Sequence, residues 1–199
     1  MNDFSIWTIG HSTHGYDRFL SLLQERRISA IADVRSSPYS RHYPQFNGDK
    51  LKASLRSDGI AYSFLGKELG GRPRDSALFS QGVADYERMA CTNEFREGLN
   101  RVVEGARNYR IALMCAERHP LDCHRCLLVG RALKNRGFAV SHILQDGSLE
   151  TQGEIEEELL AEVKLNPNQK DFFSSSGDKL ATAYRQRSRK VAYAAAEVG

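Results

Sequence analysis

An α/β fold, with helices on both faces of a mainly parallel sheet of about five strands, is expected from two features of this chain. β-rich runs alternate with runs of helical spacing from residue 5 to about residue 165, as chains of βαβ units do. The β-rich runs are also nearly continuous in apolar residues, as strands covered on both faces are. Right-handed crossovers then distribute the helices to the two sides.

The first strand is "SIWTIG" (5–10), ending in glycine. "GYDRFLSLLQERR" follows, with Phe19, Leu20, Leu22 and Leu23 spaced for one helix face. "ISAIADV" (28–34) is the second strand, and "GDKLKASLRSDG" (48–59) a helix stopped by Gly59. "IAYSFL" (60–65) is the third strand. The glycine- and proline-rich "GKELGGRPRD" after it excludes regular structure. Helical sequence runs from about Gly82 to Ala106, interrupted near Thr92–Asn93. "YRIALMC" (109–115) is the fourth strand, "HRCLLVGRALKNRG" (124–137) a helix and "AVSHIL" (139–144) the fifth strand. "LETQGEIEEELLAEV" reads as a last, acidic helix. There is no internal repeat.

The chain has 199 residues, 41% hydrophobic and 27% charged, which fits one soluble α/β domain over 1–165. No apolar run reaches the roughly 18–20 residues of a membrane span, so no membrane partner is expected. Met1 to Phe4 carries no basic stretch of the kind that opens a secretion signal, and the apolar run after it is short. The expected compartment is the cytoplasm, where the four cysteines stay reduced. A net charge of +3 permits nucleic acid without arguing for it. Residues 166–199 are polar and basic, with "YRQRSRK" the densest stretch. They are expected to form a tail, partly disordered or helical, that either stays solvated or touches an anionic partner.

In open parallel sheets, ligands bind beyond the carboxyl ends of the strands. Those ends here carry His11 and Ser12, Asp33 and Arg35, Lys67 and Glu68, Cys115 and Glu117, and Gln145 and Asp146. The loop "DVRSSPYSRHYPQF" adds Tyr39 and Arg41 between Pro38 and Pro44. Arginine suits bidentate phosphate contacts, and aromatic faces suit bases. The same aromatics also fit a surface loop packed onto its own helix. Lys67, Arg72 and Arg74 lie in the glycine-rich loop, which lacks the spacing of a phosphate-binding P-loop.

"TIGHST", "DVRSSPYSRHYPQF", "FLGKELGG" and the pair "CAE … CHR" together resemble DUF488, a widespread prokaryotic family known only as a domain of unknown function. The resemblance covers roughly residues 5 to 147 and implies a Rossmann-like three-layer sandwich. It brings no activity with it. The positions that match are Gly10, His11, Ser12, Asp33, Arg35, Pro38, Cys115, Glu117, Cys123, His124 and Arg125. Cys91 and Cys126 fall outside the pattern.

Three of the four cysteines lie in "CAERHPLDCHRC" (115–126). Four readings compete. Cys115, His119, Cys123, His124 and Cys126 are ligands of the kind zinc or iron accepts, although only one C-x-x-C knuckle is present. "CHRC" also has the spacing of a redox dithiol, but seven residues separate it from its strand. In the third reading Cys115 and Glu117 end a strand, Asp122 caps the next helix, and Cys123, His124 and Arg125 form that helix's first turn, an anion site. In the fourth the cysteines are simply small core residues. The phosphatase loop is excluded, because the sixth position after Cys115 is Leu121 and after Cys123 is Val129.

The third reading leads to an expected enzyme acting on a phosphate-bearing substrate, a nucleotide or nucleic acid, by carboxylate-assisted hydrolysis or glycosyl transfer. Glu117, Asp33, His11 and Cys115 would carry the chemistry. Ser12, Arg35, Tyr39, Arg41, Cys123, His124 and Arg125 would hold substrate or anion. That reading predicts no cofactor. A divalent metal enters through the alternative, a Cys/His zinc or iron protein, and a third class is a non-catalytic nucleic-acid-binding module. Self-association as a homodimer stays open.

Overall fold

The computed structural model describes residues 5–162 and 176–195. In chain order its strands are β1 (Ser5–Gly10), β2 (Ala30–Asp33), β3 (Ala61–Phe64), β4 (Phe79–Ser80), β5 (Val83–Ala84), β6 (Ile111–Cys115), β7 (Ala139–Ile143) and β8 (Leu149–Thr151). The helices are α1 (Tyr16–Glu25), α2 (Gly48–Ser57), α3 (Gly66–Leu69), α4 (Tyr86–Ala90), α5 (Asn93–Ala106), α6 (Arg131–Asn135), α7 (Gln152–Glu162) and α8 (Ser176–Val191). A π-helical turn, Arg125–Gly130, runs directly into α6.

Six strands make the main sheet in the order β3-β2-β6-β1-β7-β8, while β4 and β5 form a separate hairpin. All neighbours are parallel except β7 and β8. β6 inserts between β2 and β1, with Gly10 level with Cys115 and Asp33 level with Met114. Three loops therefore leave the sheet side by side at one edge. β6 alternates between two cores: Ile111, Leu113 and Cys115 pack with α5 and the π turn, Ala112 and Met114 with α1 and α2. That is the three-layer sandwich the apolar strand runs require.

Several boundaries differ from the sequence expectation. The sheet has six strands, because 149–151 pairs antiparallel to β7 before α7 begins. The loop after β3 starts with one helical turn, α3, whose Leu69 is buried. Thr92 caps α5, its hydroxyl accepting from the Phe95 amide at 3.2 Å, which explains the interruption between α4 and α5. The helix expected over 124–137 is π-helical for its first half. In the stretch expected as a tail, 176–191 is helical, with Ala183 and Tyr184 in the core; 166–175 and 196–199 lie outside the described residues.

Candidate metal centre

The loops after β1 and β6 meet closely because Gly10 has no side chain. A Cβ at Gly10 would lie 1.9 Å from the Glu117 carbonyl oxygen and 3.1 Å from a terminal nitrogen of Arg125. The backbones are cross-bonded there, His11 N to Cys115 O at 2.9 Å and Ser12 N to Ala116 O at 3.0 Å. Ser12 adopts a left-handed backbone (φ 46°) to make that turn, a strain found where a site over-determines the chain.

Cys115, Glu117, Cys123 and His124 present one sulfur, oxygen or nitrogen each, all within 4.8 Å of one another. The Cys123 thiol donates to the Glu117 carboxylate at 2.9 Å. Both sulfurs lie 3.8 Å from His124 Nδ1. The other ring nitrogen, Nε2, donates to the Val34 carbonyl at 2.8 Å. A metal-ligating histidine is held in this way, by a carbonyl on its far nitrogen.

Glu117 is exposed as a residue, but desolvation around its carboxyl would raise it; thiol hydrogen bonds from Cys115 and Cys123 outweigh this and bring it down to about 2. Burial, reinforced by the neighbouring Cys123 and Glu117, pushes Cys115 well above the usual thiol value. Cys123 moves the other way, down to about 6: burial opposes this, but the Cys115 thiol and the Arg125 charge prevail. Its sulfur also accepts from the Arg125 amide at 3.4 Å. His124 is raised, since its thiolate neighbour outweighs desolvation. A metal takes cysteine as its thiolate.

A cavity of about 600 Å³ opens beside the cluster. Cys115, Glu117 and His124 line it, with His11, Ser12 and Tyr39 nearby on its wall. Cys123 is 1% exposed and does not line it. That position suits a ligand behind the centre and not a nucleophile, which must meet its substrate.

The structure gives other expected site residues different work. Asp33 is buried and saturated, accepting from Arg35 Nε at 2.9 Å, Arg35 Nη2 at 2.6 Å and the Tyr62 hydroxyl at 2.8 Å. Arg35 also donates from Nη2 to the Phe46 carbonyl and from Nη1 to His11, and it lines the cavity. Arg125 is fully buried, and its two terminal nitrogens donate to the Glu117 and Arg118 carbonyls at 2.7 and 3.0 Å. It builds the CAE loop instead of holding phosphate. Arg41 is exposed and does not line the cavity. His11 stacks on Phe46 with centroids 4.3 Å apart, and burial, then the Arg35 charge, brings it down to about 4, so it is neutral.

Of the alternative metal set, Cys115, Cys123 and His124 converge. His119 accepts from the Leu121 amide and faces Glu158. Cys126 turns toward Gln152, and burial pushes it up to about 12. The spacing misleads because Cys123 sits in extended backbone (φ −140°, ψ 140°) ahead of the helix, so Cys123 and Cys126 do not share a helical face. Asp122 belongs to a 3₁₀ turn and pairs with Arg187 of α8 at 2.6 Å; it does not cap the next helix. Glu117, expected for acid–base work, places its carboxylate within 4.8 Å of the three Cys and His donor atoms. Its signal in the sequence was the alternation of a strand end, which aims residues 115 and 117 alike.

A family model described as "Domain of unknown function DUF488" matches residues 15–132. The match begins after the "TIGHST" motif. A search of curated proteins and one of solved structures give no match. No helix among the described residues is long and apolar enough to cross a membrane.

Proposed function

The chain belongs to the DUF488 family, whose description carries no activity, and from the chemistry of its site we propose a metal-dependent hydrolase acting on a small phosphate-bearing substrate of nucleotide size. Cys115, Cys123 and His124 are the metal ligands, and Glu117 stands beside them as the proton acceptor. The carrying observation is the convergence of four donors within 4.8 Å, with His124 oriented by Val34.

Two thiolates and an imidazole favour zinc or iron over magnesium or calcium. A zinc or iron held by these three residues would supply a water activated near neutral pH. Glu117 lines the cavity, where it would orient that water and take up its proton. Zinc deaminases combine the same donor types with a non-ligating glutamate to hydrolyse nucleobases; this is a likeness of chemistry, not of fold.

A cavity of about 600 Å³ suits a nucleotide-sized ligand. Tyr39 and Tyr43 on its wall offer faces for a base. The reading also needs a reducing compartment such as the cytoplasm, where the thiols stay free.

The test begins with tag-free protein analysed for metal, as purified and after zinc or iron is supplied. About one equivalent is expected. Glu117→Gln should keep the metal and lose hydrolysis across a panel of nucleotides. Protein that takes up no metal, or an active Glu117→Gln variant, would overturn the proposal.

A further inference from the structure

One wall of the cavity comes from the far end of the chain, beyond the 15–132 stretch that the family model matches. Val191 closes α8, and Tyr193 follows it; both line the cavity. The backbone after α8 adds to the β4–β5 hairpin as a third extended segment. Ala84 N donates to the Tyr193 carbonyl and Ala195 N to the Gly82 carbonyl, both at 2.9 Å, with Val83 and Ala194 bridged antiparallel. α8 is itself fixed near the metal cluster. Arg187 bonds the Leu121 carbonyl at 3.0 Å and Asp122 at 2.6 Å, just before Cys123.

Opposite Tyr193 stands Arg72, its guanidinium 5.1 Å from the ring centroid. Arg72 reaches this place because Gly71 lacks a side chain: a Cβ there would lie 2.8 Å from the His124 ring. The Arg72 amide donates to the Ser36 hydroxyl at 3.0 Å, which holds the loop. Its guanidinium is different from the others at the site. Arg35 is tied to Asp33, and Arg187 to Asp122 and Glu162. Among the described residues Arg72 has no carboxylate partner, and it lines the cavity beside Ser37 and His42.

We infer that Arg72 and Tyr193, joined by docking of the C-terminal segment, form the phosphate-recognition end of the cavity, with the reacting end at Cys115, Glu117 and His124. This rests on the hydrolase reading for the identity of the reacting end, but not for the anion site. The Arg72 guanidinium presents a fork of N–H donors to the cavity. Tyr193 supports it from one face, and no competing carboxylate occupies it. Serine hydroxyls on the same wall supply further donors for an ion with three terminal oxygens. The C-terminal segment is therefore a specificity wall.

The test uses the full-length chain after incubation with zinc, and calorimetric titration with adenosine 5′-monophosphate, adenosine and inorganic phosphate. The monophosphate should bind about tenfold or more tightly than adenosine, and phosphate should compete with it. Arg72→Ala should remove that preference, and Tyr193→Ala should reduce it. Arg74→Ala, an exposed arginine two residues away, should leave it intact. Equal binding of nucleotide and nucleoside, or an Arg72→Ala variant that keeps the preference, overturns the inference, as does an oligonucleotide that binds more tightly than the monophosphate. Metal analysis of the same samples separates the two ideas. Metal-free protein that still prefers the monophosphate through Arg72 upholds the anion site and removes the hydrolase reading.

Discussion

His124 Nε2–H donates to the Val34 carbonyl at 2.8 Å, so the end of β2 orients a ring that belongs to the loop after β6. Because Nε2 is occupied, only Nδ1 faces the sulfurs of Cys115 and Cys123. The ring has one free direction, and it points at the cluster.

Metal should therefore stabilise the fold through this ring. Supplying zinc at about 100 times its dissociation constant is expected to add roughly 2.7 kcal/mol, read as a rise in Tm that a chelator reverses. His124→Ala and Cys123→Ser should abolish the rise. Cobalt in place of zinc should show thiolate-to-metal charge-transfer absorption, and Cys115→Ser should weaken that band. A rise in Tm that survives His124→Ala would place the metal elsewhere.

Gly10→Ala should damage both fold and site. The new methyl would meet the Glu117 carbonyl oxygen at 1.9 Å, which is backbone and cannot swing aside. Overpacking of this kind costs about 1–3 kcal/mol, and the CAE loop should shift with it. Urea denaturation should show the loss of stability, and zinc affinity should fall in parallel. Unchanged zinc affinity would mean that the loop does not depend on this close approach.

Asp33→Ala should destabilise without touching the metal. It leaves the buried Arg35 guanidinium uncompensated, a loss of roughly 3–5 kcal/mol. Tyr62→Phe, which removes one of the bonds to Asp33, should cost only about 1 kcal/mol. Denaturation midpoints rank the two variants. Equal losses would show that the ion pair is not the main support of this strand end.

Acid should weaken the fold through His142. Its Nδ1 accepts from the Thr8 hydroxyl and its Nε2 donates to Gln152, at 2.8 and 2.9 Å. Burial first, then the Arg125 charge, brings it down to about 3. The unfolded chain titrates this group near 6.5 and binds the extra proton between those values. The stabilisation is complete above pH 6.5 and is lost as pH falls through the window towards 3. Each unit is worth roughly 1.4 kcal/mol. His11, lowered to about 4, adds a contribution of the same sign. His142→Gln should flatten the acid limb of stability against pH; an unchanged slope would assign that limb to other groups.

Much of the architecture was legible in the chain. Apolar runs such as 111–115 marked strands covered on both faces, and the alternation of segments implied parallel pairing. Placing ligands at the carboxyl ends of strands led to His11, Arg35, Cys115 and Glu117, all of which line the cavity. "CAERHPLDCHRC" does hold a strand end at Cys115 and a helical stretch from Arg125, but Cys123 lies in extended backbone ahead of that stretch and Asp122 does not cap it. The roles of the arginines were not legible. A composition rich in arginine near a rim reads as anion binding, yet whether a guanidinium faces ligand or backbone depends on what packs around it. Arg35 is tied to Asp33 and the terminal nitrogens of Arg125 to two carbonyls, while Arg72 packs on Tyr193 and has no carboxylate partner among the described residues.

What the sequence determined alone is local: period, caps, and which side chains leave a strand end in the same direction. These follow from backbone geometry over a few residues. The tertiary structure decided everything that joins distant segments. It set β6 between β2 and β1, turned Cys126 from the cluster while bringing Glu117 in, and laid 192–195 along β5 to wall the cavity. Those outcomes depend on which surfaces bury one another best over the whole chain, and no spacing between neighbouring residues encodes that competition.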